Sequence, residues 1–386
     1  MKAISVLIPD GEDHMALGVM RSLGLTHRVM VDLMTSHRSP PSGFSRFCRR
    51  CHFTASGITD KDRCDAILKT IATAPVDVLL PVSVAGIHLV AAERQAFARQ
   101  VALPPLPDSF TLDTANDKTA LCRFAQRNGV PVPPSLVFPD DVSEYQALLR
   151  LEYPVLLKPP SLGGGQGFQL FHEPQTLAKF LETNPALRRT STRHLLQSYL
   201  PGIDIGLNVL CRNGEILAST VQENQLRASL PFGPPAGIHF VKDVQTLETG
   251  SKLLSALRWN GVANLDMVRC AASGETMLLE MNPRYWRTLM GSVYAGVNFP
   301  YLSCLSALDQ PFPETDYRLI TYAEKSVALK QARCLIAGHS FLPGFRFKNT
   351  TLRAALTDPL PTLAGYWKRM LHKRRGDDRK STRKVV

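Results

Sequence analysis

The sequence has no long hydrophobic run. No window reaches about 18 consecutive apolar residues, so a membrane-spanning helix is not predicted. It also lacks the basic, apolar and small-residue regions of a secretory signal, because the opening MKAISVLIPDGED turns acidic after a short apolar stretch. Export is therefore not expected, and the sequence favours a cytoplasmic location.

Cysteine is scarce, and its spacing is not that of a disulfide framework. Eight cysteines are spread along 386 residues, which is typical of reduced thiols in a cytosol. One cluster, the CRRCH of Cys48, Cys51 and His52, matches the attachment pattern of c-type haem, but that attachment requires an export route. A zinc site would need further ligands, and Cys64 offers one candidate at an untypical spacing. A basic surface loop is the simplest interpretation of this cluster.

Acidic residues are outnumbered, with 33 Asp and Glu against 45 Lys and Arg and a net charge of +12. Such an excess indicates a polyanionic partner such as phosphate, nucleic acid or an acidic membrane. Nucleic acid is not predicted, since no basic stripe with interleaved aromatics occurs before the C-terminal segment. Residues 368–386 carry +7 of the net charge and overlap a helix-prone segment at 351–375. Two interpretations of this end stay open: a basic amphipathic segment that contacts an anionic membrane, and a solvated tail.

Length and hydrophobic pattern indicate several α/β domains. A chain of 386 residues has the length of about two to three domains, and 44% hydrophobic with 20% charged residues excludes collagen, coiled-coil and fully disordered classes. Apolar runs at Ile4–Ile8, Val29–Leu33 and Val76–Leu80 alternate with helical spacing, which predicts a parallel sheet flanked by helices. The first turn lacks the glycine spacing of a dinucleotide-binding motif. A proline-rich linker at 103–109 predicts a domain boundary near residue 108.

The segment YPVLLKPPSLGGGQGFQLF combines a lysine with a glycine-rich loop. A short apolar strand delivers Lys158 at its end, and Gly163, Gly164, Gly165 and Gly167 follow. Glycines allow backbone N–H groups to approach phosphate oxygens, and the ammonium adds a compact positive charge. Because the lysine precedes the glycines this is not a P-loop, and a plain flexible turn is the alternative.

Two further segments carry groups suited to a nucleotide and its metal. In HLLQSYLPGID, a strand that ends in a Pro-Gly turn can offer backbone groups to a purine and Asp204 to a ribose, although an ordinary turn is an equal interpretation. In NLDMVRCAASGETMLLEMNPR, a hairpin would bring Asp266 beside Glu280 and Asn282, which share one face of their strand. Three oxygen ligands without sulfur or histidine favour Mg²⁺, and Arg284 adds a guanidinium for a phosphate or carboxylate.

The order of these segments resembles the ATP-grasp superfamily, in particular its carbamoyl-phosphate-synthase-like, carboxylate–amine ligase branch. The resemblance extends over residues 1–310 and is most specific at EMNPR, with the glycine loop upstream. It implies an α/β (α+β) fold in which a Rossmann-like pre-ATP-grasp domain precedes a two-lobed ATP-grasp domain. The expected boundaries are 1–108 for the first domain, 109–190 for the small lobe, 191–335 for the large lobe and 336–386 for a C-terminal extension.

The resemblance also implies ATP and Mg²⁺ as cofactors, with Mn²⁺ as an alternative metal. Lys118 and Lys158 would hold the α- and β-phosphates, and the loop from Gly163 to Gly167 would fold over them. Lys158 and Arg284 would act in catalysis, with Arg284 stabilising the transferred phosphoryl group. The residues expected to hold two metal ions are Asp266, Glu280 and Asn282.

For the nucleoside, the resemblance places adenine against Gln197, Ser198, Tyr199 and Leu200, and the ribose against Asp204. Position 197 departs from the family pattern, in which Glu is common. Glutamine keeps a carbonyl acceptor for the adenine amino group, so we expect an altered nucleotide preference rather than lost binding.

The chemistry implied is an ATP- and Mg²⁺-dependent ligation. Transfer of the γ-phosphoryl group to a carboxylate would give an acyl phosphate, which an amine or a similar nucleophile would attack. Arg227, His239 and Arg287 are candidate substrate residues, but they do not identify the carboxylate or the amine. The alternative is a non-catalytic protein of the same fold that binds ATP or another polyanion at a membrane surface. The oligomeric state is not specified by the sequence.

Overall fold

The computed structural model describes residues 3–142, 145–161, 164–189, 193–227, 232–313, 315–340, 342–367 and 370. The described strands are β1 Ile4–Ile8, β2 Val29–Thr35, β3 Cys48–Phe53, β4 Val78–Leu79, β5 Ser135–Phe138, β6 Val155–Lys158, β7 Gln169–Phe171, β8 His194–Ser198, β9 Gly202–Arg212, β10 Glu215–Arg227, β11 Pro235–Val241, β12 Gly261–Cys270, β13 Thr276–Asn282 and β14 Thr321–Ala323.

The described α-helices are α1 Ala16–Gly24, α2 Asp60–Thr73, α3 Val84–Ala92, α4 Arg94–Ala98, α5 Ser109–Asn116, α6 Lys118–Arg127, α7 Tyr145–Leu148, α8 Pro174–Thr183, α9 Ala186–Arg189, α10 Val244–Ala256, α11 Leu289–Ala295, α12 Phe299–Ala307, α13 Lys325–Ile336 and α14 Thr351–Thr357. Short 3₁₀ helices occur at Pro41–Phe44 and Phe347–Asn349, and a further helical stretch occupies 360–367.

The first sheet is parallel, with the strand order β3-β2-β1-β4. Alternate residues of a strand point to opposite faces, and β1 follows this rule. Val6 and Ile8 pack in one apolar cluster with Met20 of α1, whereas Leu7 packs in another with Ile67 of α2. The expected parallel sheet with helices on both faces is therefore confirmed.

The CRRCH segment is a strand rather than the surface loop expected from its sequence. It forms β3 at the edge of the parallel sheet, in register with β2. Arg49 donates two hydrogen bonds, of 2.8 and 2.9 Å, to the buried carboxylate of Asp32, which lets a basic segment pair with the sheet. All eight cysteines lie among the described residues as free thiols. The described residues contain no cluster of three or more His, Cys, Asp or Glu able to hold a metal ion.

Two antiparallel sheets follow. A four-stranded sheet, β5-β8-β6-β7, packs against α8 around a small apolar cluster of its own. A six-stranded sheet, β13-β12-β9-β10-β11-β14, packs on α10 through Leu207, Leu253 and Leu265. The six-stranded sheet also shares an apolar cluster with the N-terminal sheet, since Phe240 and Val6 belong to the same one. The chain between them, at 103–108, has no regular secondary structure, and the domain boundaries stay predictions.

The C-terminal segment is anchored on the N-terminal sheet by a buried carboxylate. Asp358 accepts hydrogen bonds from Arg21 Nε at 2.9 Å, from Ser45 Oγ at 2.8 Å and from the Arg46 N–H at 2.9 Å. The expected helix at 351–375 is divided here, because Pro359 cannot donate the hydrogen bond that would continue α14. Of the predicted basic tail at 368–386, only residue 370 lies among the described residues. No helix in the described part of the chain is long and apolar enough to span a membrane.

Candidate active site

A cavity of about 720 Å³ lies between the two antiparallel sheets and the start of α1. Its walls come from β6, β8, the glycine loop, strands β9, β10, β12 and β13, and the segment after β13. Among the residues predicted from the sequence, those that line it are Lys158, Gly164, Gly165, Gln197, Ser198, Tyr199, Leu200, Asp204, Arg227, Asp266, Glu280, Asn282, Arg284 and Arg287. The folded chain therefore brings most of the predicted site into one cavity.

Lys158, the last residue of β6, is tied to Gln197 on the neighbouring strand β8. Lys158 Nζ donates to Gln197 Oε1 at 2.6 Å, and Gln197 Nε2 donates to Ser135 Oγ at 3.0 Å. Lys158 is 4% exposed, and this burial lowers its pKa to about 8 although the charge of Glu280 acts in the other direction. The carbonyl oxygen of Gln197 is thus already engaged by a cation, which differs from the expectation that it meets the adenine amino group.

The glycine loop has the backbone that its composition predicts. Gly164, Gly165 and Gly167 have φ angles of 65°, 73° and 73°, in the region that favours glycine. A Cβ atom at Gly165 would lie 2.3 Å from the main-chain oxygen of Phe232, so only glycine allows this close approach. Gly167 does not line the cavity, and Gly163 lies outside the described residues.

Three aromatic rings surround the glycine-loop side of the cavity. The ring centroids of Phe168 and Phe232 are 6.1 Å apart, as are those of Tyr199 and Phe232, and Lys158 Nζ lies 5.3 Å from the Phe168 centroid. These rings form an apolar surface against which a planar base can stack. Phe168 and Phe232 were not singled out by the sequence, since they come from separate loops with no shared spacing.

The hairpin of β12 and β13 places Asp266 directly opposite Glu280, which confirms the predicted pairing. Asn282 lies on the same face, with its Nδ2 3.1 Å from Asp266 Oδ2 and 3.4 Å from Glu280 Oε1. Three oxygen-bearing side chains from two adjacent strands therefore meet at one point of the cavity wall.

Lys118 reaches the same point from the start of α6. Its Nζ lies 3.1 Å from Glu280 Oε2, and the side chain is 7% exposed. The helix begins here because the carboxylate of Asp117 accepts the N–H groups of Thr119 and Ala120 as an N-cap. The Lys118 N–H also donates to Pro160 O at 2.9 Å, which connects α6 to the segment that follows Lys158.

The two buried carboxylates have opposite pKa shifts. Burial, together with repulsion from Glu280, raises the pKa of Asp266 to about 8. Burial also disfavours ionisation of Glu280, but the charges of Lys118 and Lys158 outweigh it and lower the pKa of that carboxyl. The shifts differ in direction because the two lysines act mainly on Glu280, whereas Asp266 is repelled by its neighbour.

These residues fit a Mg²⁺ ion, which takes oxygen ligands. The carboxylates of Asp266 and Glu280 supply two of them, and Asn282 can supply a third. Asn282 would have to turn its amide, because its Nδ2 now faces the carboxylates and its Oδ1 lies 3.5 Å from Arg284 Nη2. Since Mg²⁺ is octahedral, nucleotide phosphates or water would complete the coordination.

Comparison with known proteins finds similarity to ATP-grasp proteins. The family model for ATP-grasp in the biosynthetic pathway with Ter operon matches residues 190–329. Carbamoyl phosphate synthase large chains match from Thermomicrobium roseum, 25% identical over 188 residues, and from Clostridium beijerinckii, 26% identical over 220 residues. These matches cover 47% and 55% of this chain but 17% and 20% of the relatives, so the chain is similar to a minor part of their length.

Solved structures of similar fold include N5-carboxyaminoimidazole synthetase from Staphylococcus aureus in complex with ADP, with a TM-score of 0.64, 15% identity and coverage of 88% of this chain and 87% of that chain. An L-amino acid ligase from Bacillus licheniformis has a TM-score of 0.61, 16% identity and coverage of 83% and 78%. The chain is therefore similar to ATP-grasp proteins in the sequence of residues 190–329 and in its fold. At these identities the structural likeness shows the ATP-grasp fold alone.

Within the cavity, Asp204 and Arg227 form an ion pair with each other. Both side chains are about one-third exposed and line the cavity, and Arg227 Nη1 also donates to Gly233 O at 2.8 Å. The residue expected on the ribose and a residue expected on a substrate carboxylate are therefore neutralised by one another. A ligand that binds Asp204 or Arg227 must therefore break this ion pair or contact both residues.

The remaining predicted residues divide between cavity and sheet. Arg284 lines the cavity next to Asn282 and is held by a 2.8 Å hydrogen bond from Nη1 to Tyr285 O. His239 does not line the cavity; it lies on β11, where its Nδ1 is 2.9 Å from Thr321 Oγ1. The structure thus does not place His239, a candidate substrate residue, at the cavity.

A row of buried amides crosses the six-stranded sheet beside the carboxylates. Asn282 donates to Asn264 Oδ1 at 3.3 Å, Asn264 to Asn208 Oδ1 at 3.1 Å, and Asn208 to Gln222 Oε1 at 3.2 Å. Gln222 Oε1 also accepts from Thr288 Oγ1 at 3.0 Å. This row was not predicted from the sequence. Its only local signal is a polar side chain within an apolar strand, which is costly to bury unless it is paired.

Proposed function

We propose that this protein is an ATP- and Mg²⁺-dependent ligase that activates a carboxylate as an acyl phosphate for attack by an amine or a similar nucleophile. The observation that carries the proposal is the meeting of two buried lysines with two partly buried carboxylates at the cavity wall, since Glu280 interacts electrostatically with Lys118, Lys158 and Asp266. Cations of this kind hold nucleotide phosphates, and paired carboxylates hold the metal that accompanies them. The ADP complex and the amino acid ligase among the structural neighbours support it.

Nucleotide binding would use the small lobe. Lys158 offsets the charge of the phosphates, and the loop around Gly164 and Gly165 lets backbone N–H groups approach them. Tyr199, Phe168 and Phe232 offer an apolar surface to the base. When bound, Mg²⁺ supplies positive charge between phosphate oxygens, and Mn²⁺ is an alternative because it prefers the same ligands.

Carboxylate activation would occur beside Arg284. A carboxylate oxygen forms a bond to the γ-phosphorus while the bond from that phosphorus to the β-phosphate oxygen breaks, which releases ADP. Arg284, fixed by its bond to Tyr285 O, offsets the negative charge that is brought together in this step. The nitrogen of the amine then bonds to the acyl carbon, phosphate leaves, and the amine loses a proton. Exclusion of water protects the acyl phosphate from hydrolysis.

The proposed substrates are a small-molecule carboxylate and a small-molecule amine. We place the protein in the cytoplasm, in keeping with its eight free thiols. The comparisons offer no support for the alternative, a non-catalytic protein of this fold acting at a membrane.

The test is ADP release by the purified protein with ATP, Mg²⁺ and panels of carboxylates and amines, with hydroxylamine added to trap the acyl phosphate as a hydroxamate. Glu280→Gln should lower turnover at least about a hundredfold while the circular dichroism spectrum is unchanged. Glu275→Gln, in the exposed turn of the same hairpin, is the matched control. Absence of both ADP release and ATP binding would refute the proposal. ATP binding without turnover under any combination would favour the non-catalytic alternative.

A further inference from the structure

One end of the cavity lies around the start of α11 and carries charges that nucleotide binding does not use. This α11 end is lined by Met15, Trp286, Arg287, Leu289 and Glu324. Three of these, Met15, Trp286 and Leu289, belong to a single apolar cluster, which places them together. The opposite charges of Arg287 and Glu324 therefore stand against an otherwise apolar wall.

Glu324 is held in place by its main chain, not by its carboxylate. It follows β14, its N–H donates to Ala236 O at 2.7 Å, and its carbonyl accepts from the Ala328 N–H at 2.8 Å. The side chain does not cap α13, and it is 16% exposed. A carboxylate with so little exposure, on a main chain that is held in place, is costly to keep ionised unless a cation balances its charge.

Arg287 balances this charge only loosely. Its Nη2 lies 3.6 Å from Glu324 Oε2, longer than a direct hydrogen bond, and the Arg287 side chain is 45% exposed. Among the described residues, Glu324 has no other ion-pair partner. Burial raises the pKa of Glu324 despite the nearby guanidinium. Arg287 therefore does not fully offset the effect of burial on this carboxylate.

One residue of the wall beside this pair has a polar group without a hydrogen-bond partner among the described residues. Trp286 is 3% exposed, and its ring packs edge-on against Phe299 with a centroid distance of 4.9 Å. The indole N–H of Trp286 has no hydrogen-bond partner in the part of the chain that the structure describes. The indole N–H is itself covered, so the charged groups along this otherwise apolar wall are the guanidinium of Arg287 and the carboxylate of Glu324.

We propose that the α11 end binds a substrate with the head group of an α-amino acid, whose ammonium group pairs with Glu324 and whose carboxylate pairs with Arg287. In such a zwitterion the two charges are adjacent, as they are in the Arg287–Glu324 pair, so that each protein charge gains a close partner. The apolar neighbours Met15, Trp286 and Leu289 favour an apolar side chain. This assignment rests on the proposed ligase function and names the class of one of its two substrates.

The experiment is calorimetric titration of the full chain, preloaded with Mg²⁺ and a non-hydrolysable ATP analogue. The probes are the proteinogenic L-amino acids, each compared with the same molecule lacking the amino group and with the same molecule lacking the carboxylate; for leucine these are 4-methylpentanoate and 3-methylbutylamine. At least one amino acid should bind, and both of its truncated forms should bind at least about tenfold more weakly, since a buried charge-assisted hydrogen bond is lost each time.

Two variants locate the effect. Glu324→Gln should weaken the amino acid at least about tenfold and leave the form without the amino group unchanged, whereas Arg287→Gln should weaken both. Glu182→Gln, exposed on α8, is the control. If Glu324→Gln does not fold, the comparison of truncated ligands on the unaltered chain decides by itself.

The proposal is overturned if no amino acid binds, if the form without the amino group binds as tightly as the amino acid, or if Glu324→Gln lowers the unfolding temperature of the free protein without changing that ratio. Binding of the ATP analogue is measured first in every case. Its failure would refute the ligase function itself, whereas its success with no amino acid binding would refute the α11-end assignment alone.

Discussion

Lys158 and Gln197 are joined by a 2.6 Å hydrogen bond across two adjacent strands, β6 and β8, of the four-stranded sheet. The partner of this buried lysine is therefore a neutral dipole, which stabilises an ammonium less than a carboxylate does. This agrees with the lowered pKa of Lys158, which is about 8. Burial of the side chain is the largest cause of that lowering. A carboxylate at position 197 would oppose the effect of burial and extend the pH range in which Lys158 keeps its charge.

The first prediction follows from this pair. In the free protein, nucleotide affinity should fall as the pH rises through about 8, because neutral Lys158 no longer attracts phosphate. The loss should be about tenfold or more, as expected for a charge-assisted hydrogen bond. Gln197→Glu adds an opposite charge, which raises the pKa of Lys158 and moves this loss to higher pH. Dissociation constants of an ATP analogue measured across this range test it.

The control for this experiment is Gln126→Glu, which adds the same charge at an exposed position of α6. A pH profile that is the same in the unaltered protein and in Gln197→Glu would contradict the prediction. So would equal displacement of the profile by both variants, because the effect would then come from net charge and not from the contact.

The candidate site was predictable where its geometry follows from one stretch of chain. The pairing of Asp266 with Glu280 is set by strand period and by the Ser273–Gly274 turn, so the sequence alone specifies it. The conformation of the CRRCH segment could not be predicted in this way. Whether it forms a loop or a strand depends on Asp32, which lies on another strand.

What could not be predicted depends on contacts between distant segments. The bond of Gln197 to Lys158, the ion pair of Asp204 with Arg227 and the closeness of Glu324 to Arg287 each join residues on different elements. Their side chains look like free ligands in the sequence, and only packing decides which partner each one has. The family resemblance supplied roles for several of these residues but not their contacts in the free protein.

The second prediction concerns Gly165 in the glycine loop. Gly165→Ala should weaken ATP binding, because its φ of 73° is strained for alanine and its Cβ would lie 2.3 Å from the main-chain oxygen of Phe232. Gly274→Ala is a matched control, with a φ of 71° and no atom within 4 Å of the added Cβ. The positive φ should cost both variants about 1–2 kcal/mol of stability, and the clash with Phe232 should add to this loss in Gly165→Ala. Only Gly165→Ala should lose nucleotide affinity. Equal ATP affinities in the two variants would contradict the prediction, because the loop at Gly165 would then not affect nucleotide binding.

The third prediction concerns Asp10, at the end of β1. Burial raises its pKa to about 6, although Ser83 Oγ and the Ser83 N–H donate to its carboxylate at 2.6 and 2.7 Å. The unfolded chain has the ordinary value of 3.8. Because the folded state holds the proton more tightly, the contribution of Asp10 to stability is full below pH 3.8 and is lost as the pH rises through about 6. The loss is about 3 kcal/mol.

Urea unfolding from pH 4 to pH 7 tests the Asp10 prediction, with Asp10→Asn compared with the unaltered chain. The free energy of unfolding of the unaltered chain should fall relative to the variant as the pH rises across this window. Asp65→Asn, exposed on α2, should show no such relative change. A constant difference between Asp10→Asn and the unaltered chain at every pH would contradict it.

The fourth prediction concerns the C-terminal segment. The helical stretch at 360–367 exposes Leu360, Leu363 and Trp367 by 58%, 60% and 65%, and residues 368–386 add a net charge of +7. An apolar stripe next to basic residues suits an anionic lipid surface, where each basic residue contributes about 1 kcal/mol. The full chain should therefore sediment with vesicles that contain phosphatidylserine but not with phosphatidylcholine alone. High salt should release it, since the attraction is electrostatic.

A chain that ends at Trp367 separates the two interpretations of this segment. If the basic residues contact lipid, the shortened chain should lose binding to phosphatidylserine vesicles while its affinity for an ATP analogue is unchanged, because the nucleotide residues lie elsewhere. Trp367→Ala in the full chain should weaken vesicle binding less than the truncation does, as it removes apolar contact but none of the charge. Equal sedimentation of the full and shortened chains would favour a solvated tail, and the net charge of +12 would then need another explanation.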